Sequence, residues 1–321
     1  MMGSSKPIPA PAAPAIQLIG AVCVDLIMGQ IAPWPQPGTE TFVGHSELRV
    51  GGPAGNTALA LRALGVPHHL ICNIGDDMFG AWLAAAFGDA ASGWTKVARP
   101  TAISVGVEHP GGERSFLTAP GNLEAQTVDG MLAMLPRRAT QGDIALLTGA
   151  FLYPGLLDDF DRLLAALGTR GFAVALDTGW PPGGWNDATR ARLAGWLGRC
   201  DHVLLNEIEC LSLSQAASIE AAAGWMASHA KPGAAVVMKR GADGASAWAG
   251  GALIHAPAPR VKVIDTTGAG DAFNAGYLAA CLRGAGFGEA LEDGVALASA
   301  AIASSPREYR APARAATTSA R

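Results

Sequence analysis

Short apolar runs closed by a polar residue or a glycine recur along the chain, separated by stretches long enough for helices. The run from Ile16 to Val24 predicts a buried opening strand that delivers Asp25 at its C-terminal edge. Three prolines lie between Gly29 and Gly38, Thr39 to Val50 alternates in character, and Gly51-Gly52-Pro53 breaks the pattern before Asn56 begins an Ala/Leu-rich helix. Gly65 caps that helix, and His69 to Ile74 predicts the next strand, stopped by Gly75-Asp76-Asp77. Two alternating segments, Ala102 to Glu108 and Ser115 to Ala119, flank a Gly111-Gly112 turn and predict a hairpin outside the main sheet, a candidate lid. The strand-helix rhythm then resumes with Ile144 to Leu147, Phe172 to Leu176, His202 to Leu205 and Ala234 to Met238. Such alternation implies an α/β fold, a mainly parallel central sheet flanked by helices on both faces.

The expected organisation is one α/β domain over 15–310, with lid segments at about 30–50 and 100–120 and loose tails at 1–14 and 311–321. Pro7, Pro9, Pro11 and Pro14 interrupt the charge-free stretch near the start, which argues against a spanning helix or a signal segment, so no membrane partner is expected. Half of the 321 residues are hydrophobic and only 16% are charged, which excludes a disordered solvating chain and a small stapled scaffold. The net charge of -4 carries no nucleic-acid footprint, so any phosphate chemistry must be local. The five cysteines are scattered and never form a C-x-x-C pair, which fits a reducing cytoplasm better than a disulfide framework or a zinc ribbon.

Ligands of open α/β sheets bind beyond the carboxyl ends of the strands, which draws attention to Asp25, Asp177, Asn206 with Glu209, Lys239 and the segment after Ile264. The most informative stretch is Asp265-Thr266-Thr267-Gly268-Ala269-Gly270-Asp271-Ala272-Phe273-Asn274-Ala275-Gly276, running into an apolar helical pattern. Two glycines before a helix let backbone N–H groups approach an anion, and an acid among those donors is placed to take a proton from an attacking hydroxyl. A plain helix cap at Asp271 fits the same pattern. Structural readings also fit the other positions: a capping box for Asn206 and Glu209, a turn residue for Asp25, an N-cap for Asn56, and a solvated charge pair for Lys239-Arg240.

Asp265 to Gly276 resembles the C-terminal signature of the PfkB, or ribokinase-like, carbohydrate kinase family. Gly51-Gly52-Pro53-Ala54-Gly55-Asn56, followed by Leu64-Gly65, resembles its N-terminal signature, and Ile74-Gly75-Asp76-Asp77-Met78-Phe79-Gly80 the Gly-x-Asp-x-x-Gly segment after it. Asn206-Glu207-Ile208-Glu209 is similar to the family's Asn-x-x-Glu element, and Lys239-Arg240-Gly241-Ala242-Asp243-Gly244 to its nucleotide loop. The five motifs stand in the family's order over about Gly20 to Ala303.

The resemblance implies transfer of the γ-phosphate of ATP to a hydroxyl of a sugar or sugar-like molecule, with Asp271 as base and the backbone of Gly268, Ala269 and Gly270 as anion hole. It assigns Asp25, Gly51, Gly52 and Asn56 to the sugar, with Asn122, after the hairpin, facing the same pocket. Asn206, Glu209, Lys239, Gly241 and Gly244 would serve the nucleotide, Glu209 holding Mg2+ through water. Asp265 and Thr267 match positions that help hold K+ or another monovalent cation. The lid strands offer edges for a homodimer.

Cys23 stands where ribose-specific members show Asn, and Thr148-Gly149-Ala150 where ribokinases offer Glu, which argues against ribose. The arginine and tyrosine pattern near Arg114 to Asn122 that would suggest a keto-deoxy-gluconate kinase is not found, and a ketose, another sugar or a nucleoside stays open as acceptor. No lysine follows a glycine, which removes a Walker-type loop, and neither G-x-G-x-x-G after a strand nor G-x-S-x-G occurs. The histidines lack i,i+4 metal spacing. A non-catalytic sugar or nucleotide sensor would be marked by loss of Asp271, Gly268 or Gly270, all of which are present. An interaction protein built on exposed tryptophans is disfavoured because Trp82, Trp94, Trp196 and Trp225 sit in apolar helical contexts that predict core.

Overall fold

In a computed structural model of the chain, residues 13–110 and 114–309 are described; the expected tails fall almost entirely outside them, as does the Gly111-Gly112 turn. The chain opens with β1 (Ile16–Gly20), β2 (Cys23–Met28) and β3 (Ser46–Gly51), followed by α1 (Pro53–Ala63) and β4 (His68–Ile71). Then come β5 (Asn73–Gly75), α2 (Met78–Phe87), β6 (Thr95–Val97), β7 (Ile103–Glu108), β8 (Arg114–Ala119) and α3 (Val128–Met134). Strict alternation follows in β9 (Ile144–Thr148), α4 (Phe160–Arg170), β10 (Ala173–Asp177), α5 (Asp187–Leu197) and β11 (His202–Asn206). The remainder is α6 (Glu207–Ser214), α7 (Ile219–His229), β12 (Ala235–Lys239), β13 (Ala245–Ala249), β14 (Ala252–Ala256), α8 (Ala269–Leu282) and α9 (Phe287–Ile302).

Eight strands form the main sheet in the order β14-β13-β12-β11-β10-β9-β1-β4, parallel from β12 to β4 and antiparallel at β13 and β14. Side chains alternate across it: Ile16, Leu18, Leu146 and Leu204 pack on the face of α1, α8 and α9, whereas Ile19, Leu147, Val203 and Leu205 pack on the face of α4 to α7. Both faces are therefore dry, the condition under which parallel strands read as continuous apolar runs. Because the inner strands run parallel, Thr148, Asp177, Asn206 and Lys239 all end at one edge, in register as Thr148 with Asp177 and Asn206 with Lys239.

A second sheet, β3-β2-β7-β8, stands apart from the first, and β5 pairs with β6. This corrects the opening segment. Ile16 to Val24 is two strands, with β1 in the main sheet and β2 in the second sheet, so Asp25 lies within a strand of the second sheet rather than at the end of a main-sheet strand. The run His69 to Ile74 likewise divides at Cys72 between β4 and β5, and only the last part of Thr39 to Val50 is strand. Helix α1 starts at Pro53, whose fixed φ suits a first helical position, so Asn56 lies inside the helix with its amide free to reach across. Trp94 and Trp196 are core, but Trp82 is 37% exposed, so its apolar helical setting does not bury it.

Candidate active site

Helix α8 begins at the sheet edge where the strands end. Gly268 precedes it with φ +70°, a left-handed conformation that glycine adopts without strain, and no side chain caps the helix. Ala269 N–H already donates to Thr266 O (3.1 Å), so of the three residues expected to form an anion hole, Ala269 is a wall and not a donor. Asp271 lies in the first turn, and its Oδ2 accepts from Asn56 Nδ2 at 2.9 Å. Burial and the nearby Asp177 charge push the Asp271 carboxyl up to about 7, against the opposing pull of the Asn56 bond, Lys239 and Arg307.

Lys239, at the end of β12, extends beneath this helix start. A Cβ placed on Gly270 would lie 3.4 Å from its Nζ, which donates to Asp177 Oδ2 at 2.7 Å. Asn274 Nδ2 donates to the same oxygen at 2.6 Å. Burial alone would drag Lys239 down, but Asp177 and Glu209 outweigh it and hold the ammonium above its ordinary value. Asn206 and Glu209 do form a capping box at α6, with Asn206 N–H donating to Glu209 Oε2 (2.8 Å) and Glu209 N–H to Asn206 Oδ1 (2.9 Å). Burial and Asp177 raise the Glu209 carboxyl to about 7.

Two cavities flank the start of α8. The larger, about 770 Å³, is lined by Asn206, Lys239, Gly241, Gly244, Ala269 and Gly270 among others; Glu209 does not line it. The smaller, about 470 Å³, holds Asn56, Asp265 and Arg307 at its wall under strands β2, β3, β7 and β8. Asp25, paired across the strands with Arg49, is buried beside it, and Cys23 Sγ donates to Asp25 Oδ1 at 3.5 Å. A Cβ on Gly51 would sit 2.0 Å from the Asp25 Cγ, so the glycine at that position is what lets the carboxylate fit.

Two expectations fail here. Asn122 is fully buried and spends its amide on the fold: Oδ1 accepts from Ala102 N–H (2.7 Å), and Nδ2 donates to Asn73 O (2.8 Å) and Asn73 Oδ1 (3.1 Å). It clamps the entry to β7 and does not face the cavity. Asp265 and Thr267 do not fit a monovalent cation either. Asp265 Oδ1 accepts from Arg114 Nη1 (2.7 Å) and Thr267 N–H (2.8 Å), and Oδ2 from Arg49 Nη1 (2.7 Å) and Arg307 Nη2 (3.1 Å). Thr267 Oγ1 is also taken, by Arg114 Nη1 at 2.8 Å. Against the cost of burial, these bonds hold the Asp265 carboxyl down at about 2.

Sequence reasoning singled out Asp177 without a role and missed Asn274, Arg49, Arg114 and Arg307. The arginines come from β3, β8 and the segment after α9, so no spacing links them.

A mainly parallel sheet, a helix start between two cavities and a second sheet over the smaller one together make up a ribokinase-like α/β fold. The chain belongs to the pfkB family of carbohydrate kinases, whose profile matches residues 15–312. It is 28% identical over 235 residues to a fructokinase of Rhizobium leguminosarum bv. trifolii, covering 71% of this chain and 70% of that one. It is 49% identical over 71 residues to the 2-dehydro-3-deoxygluconokinase of Escherichia coli, 21% of this chain and 23% of the relative. The structure of Arabidopsis thaliana ribokinase complexed with ribose and ATP superposes with a TM-score of 0.71 at 23% identity, over 91% of this chain and 93% of that one. Among the described residues, no helix is long and apolar enough to cross a membrane.

Proposed function

We propose that the protein transfers the γ-phosphoryl group of ATP to a hydroxyl of a sugar or sugar-like acceptor. The observation that carries this reading is the position of Asp271, in the first turn of a helix whose Ala269 and Gly270 border one cavity while its partner Asn56 borders the other. A phosphoryl donor in the larger cavity and an acceptor in the smaller would meet at the start of α8, where positioning and charge stabilisation do most of the catalytic work.

Asp25, with Gly51 and Gly52 opening the way, and Asn56 would orient the acceptor. Asp271 takes the proton of the attacking hydroxyl, and the backbone at Gly268 and Gly270 receives the transferring phosphoryl. Lys239 adds a fixed charge beneath it. Asn206, Gly241 and Gly244 would hold the nucleotide. Asn206 lines the larger cavity, and the carboxylates of Asp177 and Glu209 beside the Lys239 ammonium are hard donors of the kind that suit Mg2+ held through its waters, where the ion would neutralise phosphate charge. Closure of the second sheet over the acceptor would exclude water and limit hydrolysis of ATP. The row Leu48, Leu26, Val105, Leu117 crosses that sheet on the face opposite Asp25, and the exposure of Leu48 and Leu117 supports its use as a homodimer contact.

The test is a coupled ADP-release screen with Mg-ATP against fructose, ribose, keto-deoxy sugar acids, sugar phosphates and nucleosides, with Asp271→Ala alongside. A hit abolished by the substitution is expected. ATP binding with silence across the panel would instead favour a sensor that has kept the scaffold.

A further inference from the structure

The misfit at Asp265 has a consequence for how the transferring charge is handled. A carboxylate offers about four acceptor directions, and at Asp265 all four are used, three of them by guanidinium groups. A metal ion entering there would have to displace one arginine and face the repulsion of the other two. Arg49 and Arg114 come from strands of the second sheet, but Arg307 comes from the body of the protein and reaches closer to the chemistry. While Nη2 of Arg307 holds Asp265, its Nη1 lies over Gly268, where an added Cβ would be 2.9 Å away. Asn56 Nδ2 lies 3.1 Å from that same point and is bonded to Asp271. The guanidinium, the amide and the base thus share one small neighbourhood at the helix start. Arg307 Nε is buried without a partner, and its side chain is only 13% exposed.

Resting on the kinase reading above, we infer that Arg307 is the resident cation of this active site: anchored by Asp265, it presents Nη1 over Gly268 to the transferring phosphoryl, and the reaction proceeds without a monovalent metal ion. In the step, the acceptor O–H gives its proton to Asp271 as the acceptor oxygen bonds to the γ-phosphorus. The bond from that phosphorus to the β–γ bridging oxygen breaks, and ADP leaves with the electron pair. Arg307 donates to a non-bridging oxygen throughout and is unchanged at the end. Arginine suits this place because it stays charged at every working pH and its planar fork spans a carboxylate and a phosphoryl oxygen together.

The experiment compares wild type with Arg307→Met and Arg307→Lys in two media of equal ionic strength, potassium chloride and choline chloride. Rates are read with an acceptor from the screen, and binding of ADP with and without aluminium fluoride is read by calorimetry. The wild-type rate should agree within about twofold between the two salts, whereas Arg307→Met should lose about 100-fold or more in kcat with KM for ATP nearly constant. Added guanidinium ion at tens of millimolar should restore part of that loss. The variant should bind ADP like the wild type and lose the extra affinity that aluminium fluoride confers. If Arg307→Met melts below the assay temperature, Arg307→Lys and the wild-type salt comparison carry the same test. Activation of the wild type by potassium of tenfold or more, or a variant that keeps kcat within threefold, would overturn the assignment of Arg307 alone. A wild-type chain that binds neither ATP nor ADP with aluminium fluoride would overturn the kinase reading itself.

Discussion

Asp271 carries a carboxyl raised to about 7 because burial and the Asp177 charge prevail over Asn56, Lys239 and Arg307. A base must be ionised to act, so kcat/KM should climb with pH and level off above about 7, and Asp177→Asn, which removes one raising influence, should move that limb to lower pH. A pH-rate series on both proteins checks this. The same shift bears on stability. The unfolded chain ionises near the ordinary carboxylate value, so the proton held by the folded chain stabilises it below that value, and the contribution is lost as pH rises through about 7. Asp271→Asn should therefore melt higher than the parent at pH 8, by more than it does at pH 5, while losing activity by about 100-fold or more. Asn122 gives the opposite signature. Removing its amide strands Ala102 N–H and the Asn73 groups, so Asn122→Ala should cost on the order of 3 kcal/mol in denaturant unfolding with KM for the acceptor unchanged.

Among the elements, α8 depends on how closely α9 lies against it. A Cβ on Gly276 would meet Asp293 O at 2.6 Å, and one on Gly294 would meet the Phe273 ring at 2.8 Å. Gly276→Ala should therefore destabilise the fold by about 1–3 kcal/mol, read as a lower melting temperature, and should lower kcat as well, because α8 carries Asp271. Most elements were legible as patterns: the parallel strands from β9 to β12 stand where the apolar runs predict them, because strands buried on both faces need nothing else. The first strands were harder. Both sheets bury β1 and the start of β2, so the run from Ile16 to Val24 has no change of polarity to mark where the chain leaves one sheet for the other.

For the molecule as a whole, Asp265 ties the second sheet to the body through Arg49 and Arg114. Asp265→Ala would leave three guanidinium groups without their shared carboxylate and should cost about 3 kcal/mol in denaturant unfolding, with faster proteolysis of the 23–51 segment. If the apolar row on that sheet is a homodimer contact, Leu117→Glu should yield monomers in sedimentation equilibrium while the acceptor site stays intact. By itself the sequence determined the alternating α/β layout and the glycine-rich start of α8 with its acid, because periodicity, helix starts and close backbone approach leave local marks in residue type. Only the tertiary structure decided that Asp25 lies in the second sheet, that Asn122 braces the fold, and that Arg49, Arg114 and Arg307 converge on Asp265. Those facts depend on which distant segments meet, and a charge 42 residues along the chain from its partner leaves no periodic trace.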